Sequence, residues 1–262
     1  MTLRHTRTMF RIVTLASLLL LAIPTADYRY GGTFIGAIIC SDGIVVASDS
    51  RTTFLESNGR GFGYIDSMPK IYVDGGAAVA VSGLTSLGGE LFSSFARRND
   101  YLLARPVNEI LFGFLVWLPF ENSNGVVLLS AGFLDGKPMV CAKSPTLPQG
   151  CTPSGYFASK DSASLRNTLI RLGRIPTTSE GTAALKAAIE EYSRTDPTVG
   201  GPISILKLTN GGPPQWIENR PSDRGLTQVC QLVSEHRAGR MRIVPLGSPQ
   251  ELDQKLNAAC PR

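Results

Sequence analysis

The chain has 262 residues, 43% of them hydrophobic, which allows one large domain or two small ones with a substantial core. Its formal charge is +5, but Arg4, Arg7, Arg11 and Arg29 against Asp27 place three of those charges in residues 1–32. The rest is nearly neutral and has no basic stripe, which excludes the electrostatic footprint of a nucleic-acid binder.

Arg4, Arg7 and Arg11 precede an apolar run at residues 12–23, and Thr25 and Ala26 follow as small residues at a cleavage position. The run is too short to span a bilayer comfortably. It reads as an export signal or as a retained propeptide, a start at Met9 included. An export signal implies a periplasmic or extracellular protein, and a propeptide leaves a cytoplasmic one open. On either reading residues 1–32 are a leader outside the mature fold.

Residues 33–40 and 44–47 predict a hairpin about Ser41-Asp42-Gly43. Residues 53–66 are polar and contain glycine, so they read as a loop. Residues 70–73 and 77–82 predict a second strand pair about Asp74-Gly75-Gly76. Leu87, Leu91 and Phe95 at four-residue spacing predict a helix. Leu111, Phe114, Leu115 and Leu118 predict another, with Pro106 at its start. Strands follow at 126–133 and 138–142. Two more helices come next: one carries Leu165, Leu169 and Leu172, and the other opens with Thr177 and Glu180 as a capping box. Strands at 203–208 and 215–219 close the pattern. Residues 221–262 suggest a helix over 227–236, a short strand over 241–244 and a terminal helix.

Helices that come in pairs between groups of strands do not fit a βαβ unit. An α+β fold does fit, as a four-layer αββα sandwich with two antiparallel sheets between paired helices. Residues 33–220 form the main domain, and 221–262 are a C-terminal extension of it.

Five cysteines are present: Cys40, Cys141, Cys151, Cys230 and Cys260. There is no CxxC, and His5 and His236 make no ligand cluster, so the pattern of a zinc site is missing. Cys141 and Cys151 flank a Pro/Gly-containing connection and are candidates to bridge a hairpin. Cys230 and Cys260 are candidates to clip the tail. Both bridges require an oxidising compartment. Cys40 reads as a small buried hydrophobe.

Beyond the leader the only histidine is His236, in the polar run Ser-Glu-His-Arg, which leaves no base for a Ser–His or Cys–His site. No Gly-x-Ser-x-Gly elbow, Walker loop or dinucleotide fingerprint occurs. Another base is a chain's own α-amino group, whose pKa of about 7.7–8.0 leaves it partly neutral near pH 7. Thr33, exposed by a cut after Gly32, would carry hydroxyl and amine on one residue.

The run "GTFIGAIICSDGIVVASDSRTT" at residues 32–53 resembles the start of a mature proteasome β-subunit, of the N-terminal-nucleophile hydrolase superfamily. The spacing from Thr33 to Asp49, Arg51 and Thr53 matches without a gap. Lys70, in Met-Pro-Lys-Ile-Tyr-Val, is similar to the family's catalytic lysine, after a loop a few residues longer than usual. Ser82-Gly83 resembles the strand-to-helix turn whose glycine amide faces the nucleophile. Asp196 and Gly200-Gly201 match an Asp-x-x-Ser-Gly-Gly segment, with Val199 in place of its serine. Ser159 falls where the family supports the N-terminus with a serine, but Ala158, Lys160 and Asp161 around it depart from the pattern. The resemblance covers residues 32–219 in element order.

It implies a threonine peptidase matured by autocleavage between Gly32 and Thr33. Thr33 would be the nucleophile, Lys70 would lower the pKa of its hydroxyl, and Asp49 would hold Lys70. The Gly83 N–H would face the oxyanion, and Ser159 and Asp196 would hold the free amine. Arg51, Gly200 and Gly201 would support the site. Thr52, Thr53, Met68, Val81 and Thr85 would bind substrate, in a pocket suited to an uncharged, medium-sized side chain. The resemblance implies no cofactor or metal, a peptide or unfolded-protein substrate, a homo-oligomeric ring, and no stable membrane span in the mature chain. Two other readings share these residues: a non-catalytic subunit, to which Val199 lends weight, and an amidase acting on small amides.

Overall fold

The computed structural model describes residues 29–31, 33–56, 58–83, 86–87, 89–115, 126–144, 149–222 and 224–261. Strand β1 (Arg29–Gly31) precedes the hairpin of β2 (Ile35–Cys40) and β3 (Gly43–Ser48). Next come the pairs β4 (Thr52–Leu55) with β5 (Gly61–Ile65) and β6 (Ile71–Asp74) with β7 (Ala77–Ser82). The two-residue strands β8 (Ser86–Leu87) and β9 (Glu90–Leu91) lead to α1 (Phe92–Arg98), a 3-10 turn (Asp100–Ala104) and α2 (Val107–Leu115). Strands β10 (Val127–Leu134), β11 (Lys137–Lys143), β12 (Gly150–Thr152) and β13 (Tyr156–Ala158) follow, then α3 (Ala163–Leu172) and α4 (Thr178–Thr195). The chain continues through β14 (Ser204–Leu208), β15 (Gln215–Glu218), α5 (Val229–Arg237), β16 (Val244–Pro245) and α6 (Pro249–Ala259).

Successive side chains of a strand point to opposite faces, so a strand apolar on both faces must be covered twice. β2 is such a strand. Ile35, Ala37 and Ile39 meet Ala78, Ala80, Leu129 and Ala131 in one core. Ile38 and Cys40 meet Leu165, Leu185 and Ile189 of α3 and α4 in another. β7 divides likewise, with Val79 and Val81 packed on Phe92, Leu111 and Phe114 of α1 and α2. β2 belongs to a sheet ordered β13-β2-β3-β14-β15, and β7 to one ordered β12-β11-β10-β7-β6. The pairings are antiparallel, so the fold is mixed α+β with antiparallel sheets and, among the described residues, six α-helices. No helix among them is long and apolar enough to cross a membrane.

Two expectations need correction. Residues 53–66 are not a loop: β4 and β5 pair there. Phe54, Phe62 and Ile65 are covered mainly by residues far along the chain, among them Val229, Leu232, Leu252 and Leu256, so local periodicity did not reveal the strands. A Cβ at Gly63 would lie 2.8 Å from Leu252 Cδ1, which shows how closely α6 approaches. The helix expected through Leu87, Leu91 and Phe95 begins only at Phe92. Glu90 instead bridges Gln228, and the Leu91 N–H donates to the Thr227 carbonyl at 2.9 Å. The C-terminal extension thus takes the backbone groups that a longer helix would have used.

β16 pairs with β5, giving a smaller sheet ordered β1-β4-β5-β16. Disulfides join Cys141 to Cys151, across β11 and β12, and Cys230 to Cys260, from the start of α5 to the end of α6. Cys40 is a free thiol; burial pushes its pKa up to about 12, so it stays protonated.

Candidate active site

β3 ends at Ser48, and the chain then turns across the open end of its sheet, carrying Asp49 into the interior. The Asp49 carboxylate is fully buried. Oδ1 accepts from the Phe34 N–H at 2.8 Å and from Lys70 Nζ at 3.1 Å. Oδ2 accepts from the Gly200 N–H at 3.0 Å and the Arg51 N–H at 3.2 Å. Lys70, equally buried, also donates to the Arg51 carbonyl. Burial pushes the Asp49 carboxyl up and the Lys70 ammonium down, and each is pulled back by the charge of the other.

Thr33 stands one residue before Phe34 and is buried, and its carbonyl accepts from Ser82 Oγ at 2.9 Å. Three separate strand ends therefore converge: the start of β2, the end of β3 and the end of β7. Lys70 lies just before β6, beside them. Gly83 follows Ser82 with φ at +90°, a left-handed conformation that favours glycine. Gly32 and Thr85 lie outside the described residues.

The loop at 196–201 closes the site from below. The Gly200 carbonyl accepts from the Ser50 and Arg51 N–H groups at 3.1 and 2.9 Å. A Cβ at Gly200 would lie 2.8 Å from Arg51 Cζ, and one at Gly201, where φ is +72°, 2.9 Å from the Asp66 carboxylate. Arg51 itself pairs with Asp66 at 2.9 Å, lies 3.8 Å over the Tyr64 ring and donates to the Pro197 carbonyl at 3.1 Å. It braces this loop against β5.

Ser159 Oγ accepts from the Ile35 N–H at 3.0 Å. Asp196, at the end of α4, is engaged by Lys160 Nζ at 2.6 Å and by the Thr198 N–H at 2.9 Å. Although partly buried, its carboxyl is held below the usual range by these bonds. Val199 is a fully buried member of the core beside Phe34 and Ile205.

The residues expected to bind substrate separate. Thr52 and Thr53 are buried with hydroxyls that find no hydrogen-bond partner among the described residues. β1 lies antiparallel along β4 with Gly31 opposite Thr53, so the segment before Gly32 runs past these threonines. Met68 packs on the core under β4 and β5. Val81 faces α1 and α2, on the opposite side of β7 from Ser82, and so does not join Thr52. Among the described residues no group of His, Cys, Asp or Glu is gathered for a metal ion.

Sequence reasoning did not single out Asp66, Lys160 or Tyr64. Asp66 lay in a stretch read as a loop, and Lys160 only as a departure from a serine-rich pattern. Their partners are brought by distant parts of the chain, which leaves no spacing signal.

No family model and no curated protein matches the chain. Among solved structures, the fold is similar to the Anbu (Gly-1) mutant from Hyphomicrobium sp. strain MC1, with a TM-score of 0.54 and 14% identity over 73% of this chain and 90% of that one. It is also similar to Anbu (ancestral beta-subunit) from Yersinia bercovieri, with a TM-score of 0.50 and 14% identity over 72% and 88% of the two chains. At such identity the likeness is one of fold.

Proposed function

We propose that the chain, with its Anbu-like fold, is a proteasome-like threonine peptidase built on the four-layer αββα sandwich of the N-terminal-nucleophile hydrolases. The observation that carries this reading is the buried Asp49–Lys70 pair at 3.1 Å, tied to Phe34 next to Thr33. Burying a lysine completely is costly, and such perturbed pairs cluster at functional sites, which favours a role in the chemistry beside a Thr33 that follows a Gly-Gly pair.

In maturation, Thr33 Oγ attacks the Gly32 carbonyl, with the charged Lys70 lowering the pKa of the hydroxyl and helping to relay its proton to the departing Thr33 nitrogen. The acyl group moves from nitrogen to oxygen, which frees the Thr33 amine, and water then hydrolyses the ester, freeing the Thr33 hydroxyl and leaving a carboxylate on Gly32. The same hydroxyl then attacks a peptide carbonyl, now with the amine as base. Loss of the leader would also clear β1 from β4 and leave an extended peptide room to pair beside Thr53. The two disulfides and the signal-like leader together favour an exported protein. The Anbu-like fold favours assembly of several copies, as a homo-oligomeric ring.

Intact-mass measurement tests the reading. The wild-type chain is expected to begin at Thr33, and Thr33→Ala to retain Gly32 and to hydrolyse no peptide. A folded wild-type protein that keeps Gly32 would sink the autoprocessing step. Hydrolysis of acyl-amino acids in preference to peptides would turn the assignment to an amidase.

A further inference from the structure

β13 and β2 run antiparallel with Ala158 opposite Gly36. The next rung is also made: the Ser159 N–H donates to the Ile35 carbonyl at 2.9 Å. The same register sets Lys160 opposite Phe34, the residue after Thr33, on a neighbouring segment about 4.8 Å away. Residues directly opposite one another share a face of the sheet. The two side chains do meet one ring: the Phe34 ring centroid lies 5.7 Å from that of Tyr192, and Lys160 Nζ lies 5.6 Å from it. Lys160 is therefore held beside the start of β2 by backbone register.

Its ammonium is engaged. Lys160 Nζ donates to Asp196 Oδ2 at 2.6 Å, in a pair that is partly buried. Asp196 Oδ1 accepts from the Thr198 N–H at 2.9 Å and from the Thr198 hydroxyl. Both oxygens of that carboxylate are thus taken. The other carboxylates around the start of β2 are matched in the same way. Asp49 pairs with Lys70 at 3.1 Å, Asp161 with Arg166 at 2.5 Å and Asp66 with Arg51 at 2.9 Å. Glu191 accepts from the Ser162 hydroxyl and the Ser164 N–H, and Tyr192 donates its hydroxyl to the Asp161 carbonyl. An amine freed at Thr33 would emerge among carboxylates that already have partners. Lys160 is the partner supplied by a departure from the family pattern.

We propose that Lys160 is a positioning residue for the Thr33 amine: by holding Asp196 in a closed ion pair, it keeps that carboxylate from binding the freed amine as an ammonium and leaves the amine to act as the base. The proposal rests on the peptidase reading, in which a cut after Gly32 creates that amine. It gives Asp196 a different part from the one the resemblance implies, which is to hold the amine directly. The sign follows from charge. With Lys160 present, the pair is neutral as a whole, and its cation disfavours a second positive charge nearby. With Lys160 removed, Asp196 is an unpaired anion and the amine takes up a proton more readily. Its pKa then rises, and the base is lost at the acid end of the pH range.

The test measures kcat/KM of the mature protein against pH on one fluorogenic peptide. Lys160→Met is expected to move the acid limb up by about 1 pH unit, so that activity falls about 10-fold near about pH 6 and is nearly unchanged near about pH 9. Lys160→Arg keeps the ion pair and should keep the wild-type limb. Lys160→Met combined with Asp196→Asn removes the anion as well and should bring the limb back down. A limb that stays in place in Lys160→Met, or a loss uniform across pH, is the effect of a merely structural lysine and overturns the proposal. A second arm needs neither turnover nor a variant. Labelling of the mature N-terminus with acetic anhydride, followed against pH by mass spectrometry, titrates the amine itself. A wild-type amine titrating below about 7.7 supports the proposal, and one at or above that value overturns it. Lowered titration without hydrolysis keeps the positioning role while the peptidase reading falls. Hydrolysis with a limb indifferent to Lys160→Met does the reverse. A wild-type chain that keeps Gly32 has no amine to position and overturns both.

Discussion

Asp49 accepts four hydrogen bonds through one buried carboxylate, and only one of the four comes from a charge. Removing Lys70 therefore leaves an anion with three amide donors, whereas removing Asp49 leaves a buried ammonium with only the Arg51 carbonyl among the bonds described for it. Breaking one side of a buried pair costs about 3–5 kcal/mol. Asp49→Asn and Lys70→Met are each expected to lose about that much stability in urea unfolding, and to abolish processing at Thr33. The double variant leaves no charge behind, so it should unfold more easily than wild type by clearly less than the sum of the two single losses. Strict additivity would show that the pair does not act as a unit. Both residues were legible in the sequence because the run from Gly32 to Thr53 and the segment around Lys70 resemble the proteasome β-subunit pattern. Lys160 was not, because its partner Asp196 is 36 residues on, across two helices.

At the scale of elements, the turn between β2 and β3 does more than reverse the chain. Asp42 accepts from the Thr178 N–H at 2.7 Å, Thr178 Oγ1 at 2.8 Å and Lys207 Nζ at 2.9 Å, fastening the hairpin to the start of α4 and to β14. Slight burial raises its pKa, but the bonds from Lys207 and Thr178 prevail and bring it down to about 2. An unfolded aspartate titrates near 3.9. The stabilisation is therefore complete above about pH 4 and is lost as pH falls through about 2. Thermal melts from pH 5 to pH 2 should show an acid limb that Asp42→Asn flattens; an unchanged limb would assign the acid sensitivity to other carboxylates. The capping box of α4, Thr177 with Glu180, was readable because both partners lie within four residues. The β4–β5 hairpin was not, because its apolar face is completed by α5 and α6.

For the whole molecule, the Cys230–Cys260 bridge is expected to set how firmly α5 and α6 sit on β4 and β5. It closes a separation of 30 residues between helices that both pack on Phe54, Phe62 and Ile65. Loop-closure entropy gives such a bridge about 3–4 kcal/mol. The double substitution Cys230→Ser, Cys260→Ser should lower the melting temperature and expose the extension to limited proteolysis. Dithiothreitol should do the same to wild type, since Cys230 is exposed. A melting curve indifferent to both would show that the bridge does not hold the extension down.

The amino-acid sequence by itself determined the elements whose periodicity closes within a few residues and the order of strands and paired helices, and through its resemblance to proteasome β-subunits it pointed to Thr33, Asp49 and Lys70 as candidates. The first two depend on neighbours along the chain, and the last on a motif that lies within a short stretch of it. Only the tertiary structure decided that residues 53–66 pair as strands, that Val81 turns away from Thr52, that Arg51 braces on Asp66, and that α5 and α6 cover β4 and β5. Each of those depends on burial or charge supplied by a segment far along the chain, and the energy of such contacts leaves no trace in local spacing.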